Sequence, residues 1–218
     1  MEPPERTSTV QRTKRRLFGI DRSGPSPRET RRGAPLHPWT LPNLVGYIRL
    51  AALPVFCVLA FSSDDGREVA PALIYFAIAA GDYVDGFLAR ATGQYSRMGA
   101  LLDPVVDRLT VLCGAALCWH FELLPRWALA ALAVREVVTL VLAQIALRRG
   151  IDLEINWIGR IGVFLVFGAI FWSMVFDSWI LDLALILGVA IGVLATMVYV
   201  RAALGRHPAD TLQGSTST

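Results

Sequence analysis

Residues 81–108 read GDYVDGFLARATGQYSRMGALLDPVVDR, a stretch that sets four aspartates, Asp82, Asp85, Asp103 and Asp107, inside an otherwise strongly apolar chain. On insertion scales an ionised aspartate at the bilayer centre costs roughly 2.5–3.5 kcal/mol, so four cost on the order of 10 kcal/mol unless something neutralises them. A divalent cation with oxygen ligands is the obvious neutralising agent. The spacing agrees. Asp82, Asp85, Gly86 and Ala89 fall on one stripe of a helix, and Gly99, Asp103 and Asp107 on one stripe of the next. With a turn near Gly93 and a rise of about 1.5 Å per residue, the two pairs face one another at similar depth.

Outward from this stretch the chain reads as membrane. Hydrophobic residues make up 54% of it and its mean hydropathy is +0.49. Its apolar runs are long enough to cross about 30 Å of hydrocarbon. Six such segments lie at roughly 42–61, 69–92, 97–119, 126–148, 157–176 and 179–201. The expected fold is all-α and integral to the membrane, with six transmembrane helices around a polar cavity open to the cytoplasm.

Charge in the loops orients the helices. Arg90 with Arg97, Arg148 with Arg149, and Arg206 with His207 make one set of connections basic. On the other side SSDDGRE at 62–68 is acidic, the loop at Asp177 has no basic residue, and the one near Glu122 and Arg126 is neutral. The positive-inside rule then puts both termini and the turn beside the aspartates in the cytoplasm, in a multi-pass protein of the plasma membrane.

Residues 1–36 are rich in Arg, Pro, Ser and Thr without periodicity and read as a disordered basic tail, attracted to anionic lipid. They lack the apolar core of a signal peptide, and Glu2, Glu5, Asp21 and Glu29 argue against a transit peptide. The membrane domain is expected over 37–205, with a second disordered tail at 206–218. Cys57, Cys113 and Cys118 all sit in apolar runs and read as small buried hydrophobes. Pro104 either frees the carbonyl of Ala100 within the third span or belongs to that helix's first turn.

Asp82, two residues, Asp85-Gly86, two residues, Ala89-Arg90, eight residues, Gly99, three residues, Asp103, three residues, Asp107 resembles the CDP-alcohol phosphatidyltransferase signature, with every fixed position filled. The segment LPNLVGYIRL at 41–50 is also similar to the family, and SRMGALLDPVVDR at 96–108 resembles its cardiolipin synthases as well as its phosphatidylglycerophosphate synthases. The resemblance implies transfer of a phosphatidyl group from CDP-diacylglycerol to an alcohol with release of CMP, two Mg²⁺ or Mn²⁺ ions, and a homodimer in the bilayer. No nucleic-acid partner is expected. Asp82, Asp85 and Asp103 are the expected ligands, since hard cations bridging a pyrophosphate take oxygen donors. The family pattern assigns Asp107 the role of general base, close enough to touch a metal.

Gly86 would let a cytidine phosphate approach the backbone, while Ala89 and Gly99 would let the two helices close. For these small residues packing and function can be the same fact. Arg90 reads as a pyrophosphate contact or a snorkelling arginine, and Asn43 and Arg49 carry the same ambiguity for the nucleotide. Arg135, near the middle of the fourth span, needs an anionic partner; Glu136 points about 100° away round the helix, so an acceptor phosphate is expected instead. Arg160 and Arg201 would join it or serve as interfacial anchors.

Three such cations suit glycerol 3-phosphate as acceptor, giving phosphatidylglycerophosphate. Phosphatidylglycerol, the acceptor of a cardiolipin synthase, is the alternative, and an inositol phosphate the third. Outside the family, a membrane prenyltransferase would use a different aspartate spacing and more spans. A transporter would not need the small-residue and arginine positions of the signature.

Overall fold

The computed structural model describes residues 36–149 and 157–205, so the segments at 1–35 and 206–218 lie outside it. Six helices follow in order: α1 Leu41–Phe61, α2 Val69–Thr92, α3 Arg97–His120, α4 Arg126–Arg149, α5 Trp157–Ser173 and α6 Trp179–Gly205. Their bounds follow the apolar segments of the sequence to within a few residues. The chain divides into two units, residues 1–117 and 118–218, and α3 runs through the division.

In the first unit the helix ends are written locally. Thr40 is the N-cap of α1, its side-chain oxygen accepting from the Asn43 N–H at 3.4 Å. Pro42 sits in the first turn, where a missing N–H costs nothing. At the other end Ser62 donates to the Val58 carbonyl through both its backbone N–H and its hydroxyl. Helix α2 stops at Gly93, which adopts φ 66°, the left-handed conformation that an L side chain resists. Three residues later the Ser96 hydroxyl accepts from the Gly99 N–H at 3.0 Å and so opens α3. Because α3 begins at Arg97, Pro104 lies inside the helix and not in its first turn.

The first unit buries Leu53, Phe56, Tyr75 and Ile78 between α1 and α2, with the Phe56 and Tyr75 rings 5.4 Å apart. Val55, Val58, Leu73, Phe76, Val84 and Phe87 point outward and are exposed. So many apolar side chains on the outside, with Asp85 buried within, are unlike a water-soluble bundle.

In the second unit α5 and α6 meet backbone to backbone. A Cβ added at Gly162 would stand 2.9 Å from the Gly188 carbonyl oxygen and 3.2 Å from the Gly192 nitrogen. Small residues at such a crossing allow the close packing that holds helices together in lipid, where no hydrophobic force does so. Around it Val166, Ile170, Leu181, Leu185 and Val189 are buried.

Three helical stretches, Leu41–Phe61, Val69–Thr92 and Trp179–Val198, are long and apolar enough to cross a membrane, and Gly159–Ser173 is a shorter apolar helix. Against the sequence expectation of six spans, the described residues form six helices, three of which qualify as spans on length and composition. Of the other helices, α3 carries Asp103, Asp107 and Arg108 in its body, α4 carries Arg135 and Glu136, and α5 is the shorter apolar helix.

Candidate active site

Helices α2 and α3 present their carboxylates to one another, and a side chain from α1 joins them. Arg49, 3% exposed, donates from Nη1 to Asp85 Oδ2 at 2.9 Å and from Nη2 to Asp107 Oδ1 at 2.6 Å. Its Nη1 also stands 3.7 Å from Asp82 Oδ1. Its Nε donates to the Ile78 carbonyl at 2.8 Å, which ties the guanidinium to the backbone of α2. Asp85 is buried, while the side chains of Asp82 and Asp107 each keep 43% of their exposure.

The approach of Arg49 depends on Gly81. A Cβ there would lie 2.6 Å from Arg49 Cδ and 2.8 Å from Cγ, so the stem of the arginine crosses α2 where a side chain is missing. Gly81 stands one residue before the signature, and no spacing within α2 points to it. Arg49, which the sequence leaves open between a nucleotide contact and an anchor, has the aspartates as its side-chain partners.

Beside the cluster lies a cavity of about 200 Å³ lined by Asn43, Asp85, Gly86, Ala89, Arg90, Gly99 and Asp103, together with Pro42, Gln94, Tyr95, Ser96 and Ala100. Seven of the residues singled out from the sequence therefore share one wall. The Arg90 guanidinium folds back over Gly86, where an added Cβ would stand 3.3 Å from Nη1. Gly99 gives α1 its approach, since a Cβ there would meet Asn43 Oδ1 at 2.7 Å.

Asn43 is 2% exposed and works as a brace. Its Nδ2 donates to the carbonyls of His37 and Pro38 at 3.0 and 3.1 Å, and its Oδ1 accepts from the Ser96 hydroxyl at 2.8 Å. One amide thus holds the segment before α1 against the start of α3, a role its sequence position did not reveal. A second cavity, about 340 Å³, lies next to this brace between His37–Thr40 and Gly93–Tyr95.

The donor set suits hard divalent cations, being carboxylate oxygens from two facing helices. Arg49 supplies one positive charge to three carboxylates, so on charge alone the cluster still favours further cations. Among the described residues no three carboxylate, imidazole or thiol groups are gathered into a ready-made cage. The fit is therefore one of chemistry and charge.

The three arginines expected at the acceptor belong to the second unit. Arg135 has a partner that sequence reasoning ruled out: its Nη1 donates to Glu136 Oε1, with side-chain exposures of 15% and 8%. The 100° between neighbouring Cβ directions separates their bases, and two long side chains bend across it. The Arg135 guanidinium packs on Gly192 of α6, where a Cβ would lie 2.9 Å from Nε. That Nε is buried without a hydrogen-bond partner. Arg160 is half-buried near the start of α5, and Arg201 is exposed near the end of α6.

Residues 39–198 match the sequence profile of the CDP-alcohol phosphatidyltransferases, and the chain belongs to that family. It is a transferase of phospholipid biosynthesis. It is 35% identical over 167 residues to the cardiolipin synthase (CMP-forming) of Streptomyces coelicolor, covering 73% of this chain and 77% of that one. Over 126 residues it is 30% identical to a putative cardiolipin synthase of Mycobacterium tuberculosis, covering 57% of this chain and 59% of that one. Over 129 residues it is 30% identical to the CDP-diacylglycerol–glycerol-3-phosphate 3-phosphatidyltransferase of Escherichia coli, covering 56% of this chain and 70% of that one.

Proposed function

We propose that the protein transfers the phosphatidyl group of CDP-diacylglycerol to a hydroxyl of a glycerol phosphate, releasing CMP. The observation that carries this is the convergence of Asp82, Asp85 and Asp107 on Arg49, beside a cavity walled by the rest of the signature. The acceptor hydroxyl forms a bond to the phosphatidyl phosphorus, the pyrophosphate bond to CMP breaks, and Asp107 takes the hydroxyl proton. Asp82, Asp85, Asp103 and Asp107 would hold two Mg²⁺ or Mn²⁺ ions, which would neutralise the pyrophosphate and the departing CMP. Gly86, Ala89, Arg90, Gly99 and Asn43, which line the cavity, are assigned to CDP-diacylglycerol. Arg135, Arg160 and Arg201 are assigned to the acceptor phosphate.

The acceptor read from the sequence is glycerol 3-phosphate, supported by the Escherichia coli relative. A second reading, phosphatidylglycerol, is favoured by the higher identity and wider coverage of the Streptomyces cardiolipin synthase. The Arg135–Glu136 pair weighs the same way, because it leaves less net positive charge for a phosphate dianion.

The setting we assign is a six-span domain over 37–205 between two tails, a homodimer in the plasma membrane, with both termini and the cavity mouth facing the cytoplasm. The basic connections at Arg90 and Arg97 support that orientation. The test is to give the purified protein CDP-diacylglycerol with glycerol 3-phosphate, phosphatidylglycerol or inositol phosphate and identify the lipid made. Phosphatidylglycerophosphate or cardiolipin, each with an equal amount of CMP, decides the acceptor. No CMP with any of the three refutes the reaction.

A further inference from the structure

Arg49 makes more of its contacts with the carboxylates than a simple structural arginine needs. Both terminal nitrogens end on signature aspartates of two different helices, and Nε is pinned to the Ile78 carbonyl. Gly81 gives the stem its passage. A guanidinium cannot be deprotonated in a protein, so this charge is permanent.

We infer that Arg49 is a built-in counter-cation that competes with divalent metal for Asp82, Asp85 and Asp107, and so sets the metal affinity of the signature while keeping Asp107 in position. The inference rests on reading those aspartates as metal ligands. A carboxylate oxygen engaged by a guanidinium is a poorer ligand, and a fixed positive charge a few ångströms away repels an arriving dication. Without Arg49 the carboxylates would instead repel one another until metal arrived.

Two consequences of opposite sign follow. Loss of the guanidinium strengthens metal binding, because the competitor is gone. It weakens turnover, because Asp107 Oδ1 loses the donor that Arg49 Nη2 supplies. General damage to the fold weakens both, so the combination separates a positioning role from a structural one.

The experiment uses the full chain purified in detergent and stripped of metal, with Mn²⁺ titrated in and free Mn²⁺ followed by its paramagnetic resonance signal. Wild type, Arg49→Gln and Gly81→Ala are compared, with melting recorded with and without Mn²⁺. Arg49→Gln is expected to bind Mn²⁺ about tenfold more tightly or better, the worth of one charge-assisted contact. It is also expected to gain more melting temperature from Mn²⁺ than wild type does, and to turn over more slowly. Gly81→Ala keeps the charge but displaces the stem, and shifts in the same direction by less.

An Arg49→Gln chain that unfolds on stripping and is restored by Mn²⁺ also supports the inference. Unchanged or weaker Mn²⁺ binding in folded Arg49→Gln overturns it. If that variant stays unfolded even with Mn²⁺, unchanged or weaker binding in Gly81→Ala does the same. A wild type that takes up no Mn²⁺ removes the metal reading itself, and the inference with it.

Discussion

Replacing Asp107 by Asn separates the chemistry of that carboxylate from its place in the scaffold. Asp107 Oδ1 accepts from Arg49 Nη2 at 2.6 Å, and its side chain is 43% exposed. An amide oxygen still accepts that bond, so the change is from a charge-assisted to a neutral hydrogen bond. That difference is about 1 kcal/mol in a buried setting and less here, where solvent screens the pair. A carboxylate taking a proton in the transition state is worth about 10²–10⁴ in rate, or roughly 2.7–5.5 kcal/mol of barrier. The rate effect should therefore exceed the stability effect by several fold. The assays are CMP release from CDP-diacylglycerol at saturating acceptor and thermal unfolding of the same detergent-purified sample. Turnover within about tenfold of wild type would refute the base role, and so would a rate loss matched by an equal loss of stability.

Chelation is expected to stop CMP release, and added Mg²⁺ or Mn²⁺ to restore it; Asp82→Ala and Asp85→Ala should each raise the metal concentration needed for half-maximal rate. Full rate after verified metal removal counts against the carboxylates as ligands. Gly162→Leu should part α5 from α6, since even a Cβ would stand 2.9 Å from the Gly188 carbonyl oxygen, and lower the melting temperature by the equivalent of about 1–3 kcal/mol. An unchanged melt would mean that the crossing is not that close. Arg135→Ala should destabilise the protein by about 3 kcal/mol or more because it removes the cation paired with nearly buried Glu136, and adding Glu136→Gln should recover most of that loss. If the double variant melts no higher than the single one, the pair does not matter to stability.

Much of this protein can be read along the chain. The six helices fall on its six apolar runs because an apolar run of this length satisfies its backbone only as helix. The signature residues share faces because a period of 3.6 fixes which positions within one helix point together. Gly93, Thr40 and Ser96 mark helix ends through local chemistry that needs no distant partner.

Contacts between helices lay beyond that reach. Periodicity says which way Asp82, Asp85 and Asp107 face, but the crossing of α1 with α2 decides that Arg49 enters among them, and Gly81 matters only at that crossing. Asn43 lines the cavity and is also a brace, a role that spacing does not show because its partners at His37, Pro38 and Ser96 meet only after the chain has turned back. Arg135 misled for a different reason. Helical geometry places Cβ atoms, whereas long, flexible side chains choose their partners from there, and burial made Glu136 the partner that Arg135 took. The sequence by itself determined the family, the helices and the faces; the tertiary structure decided which charges meet, since that depends on distances between helices that no spacing along one helix contains.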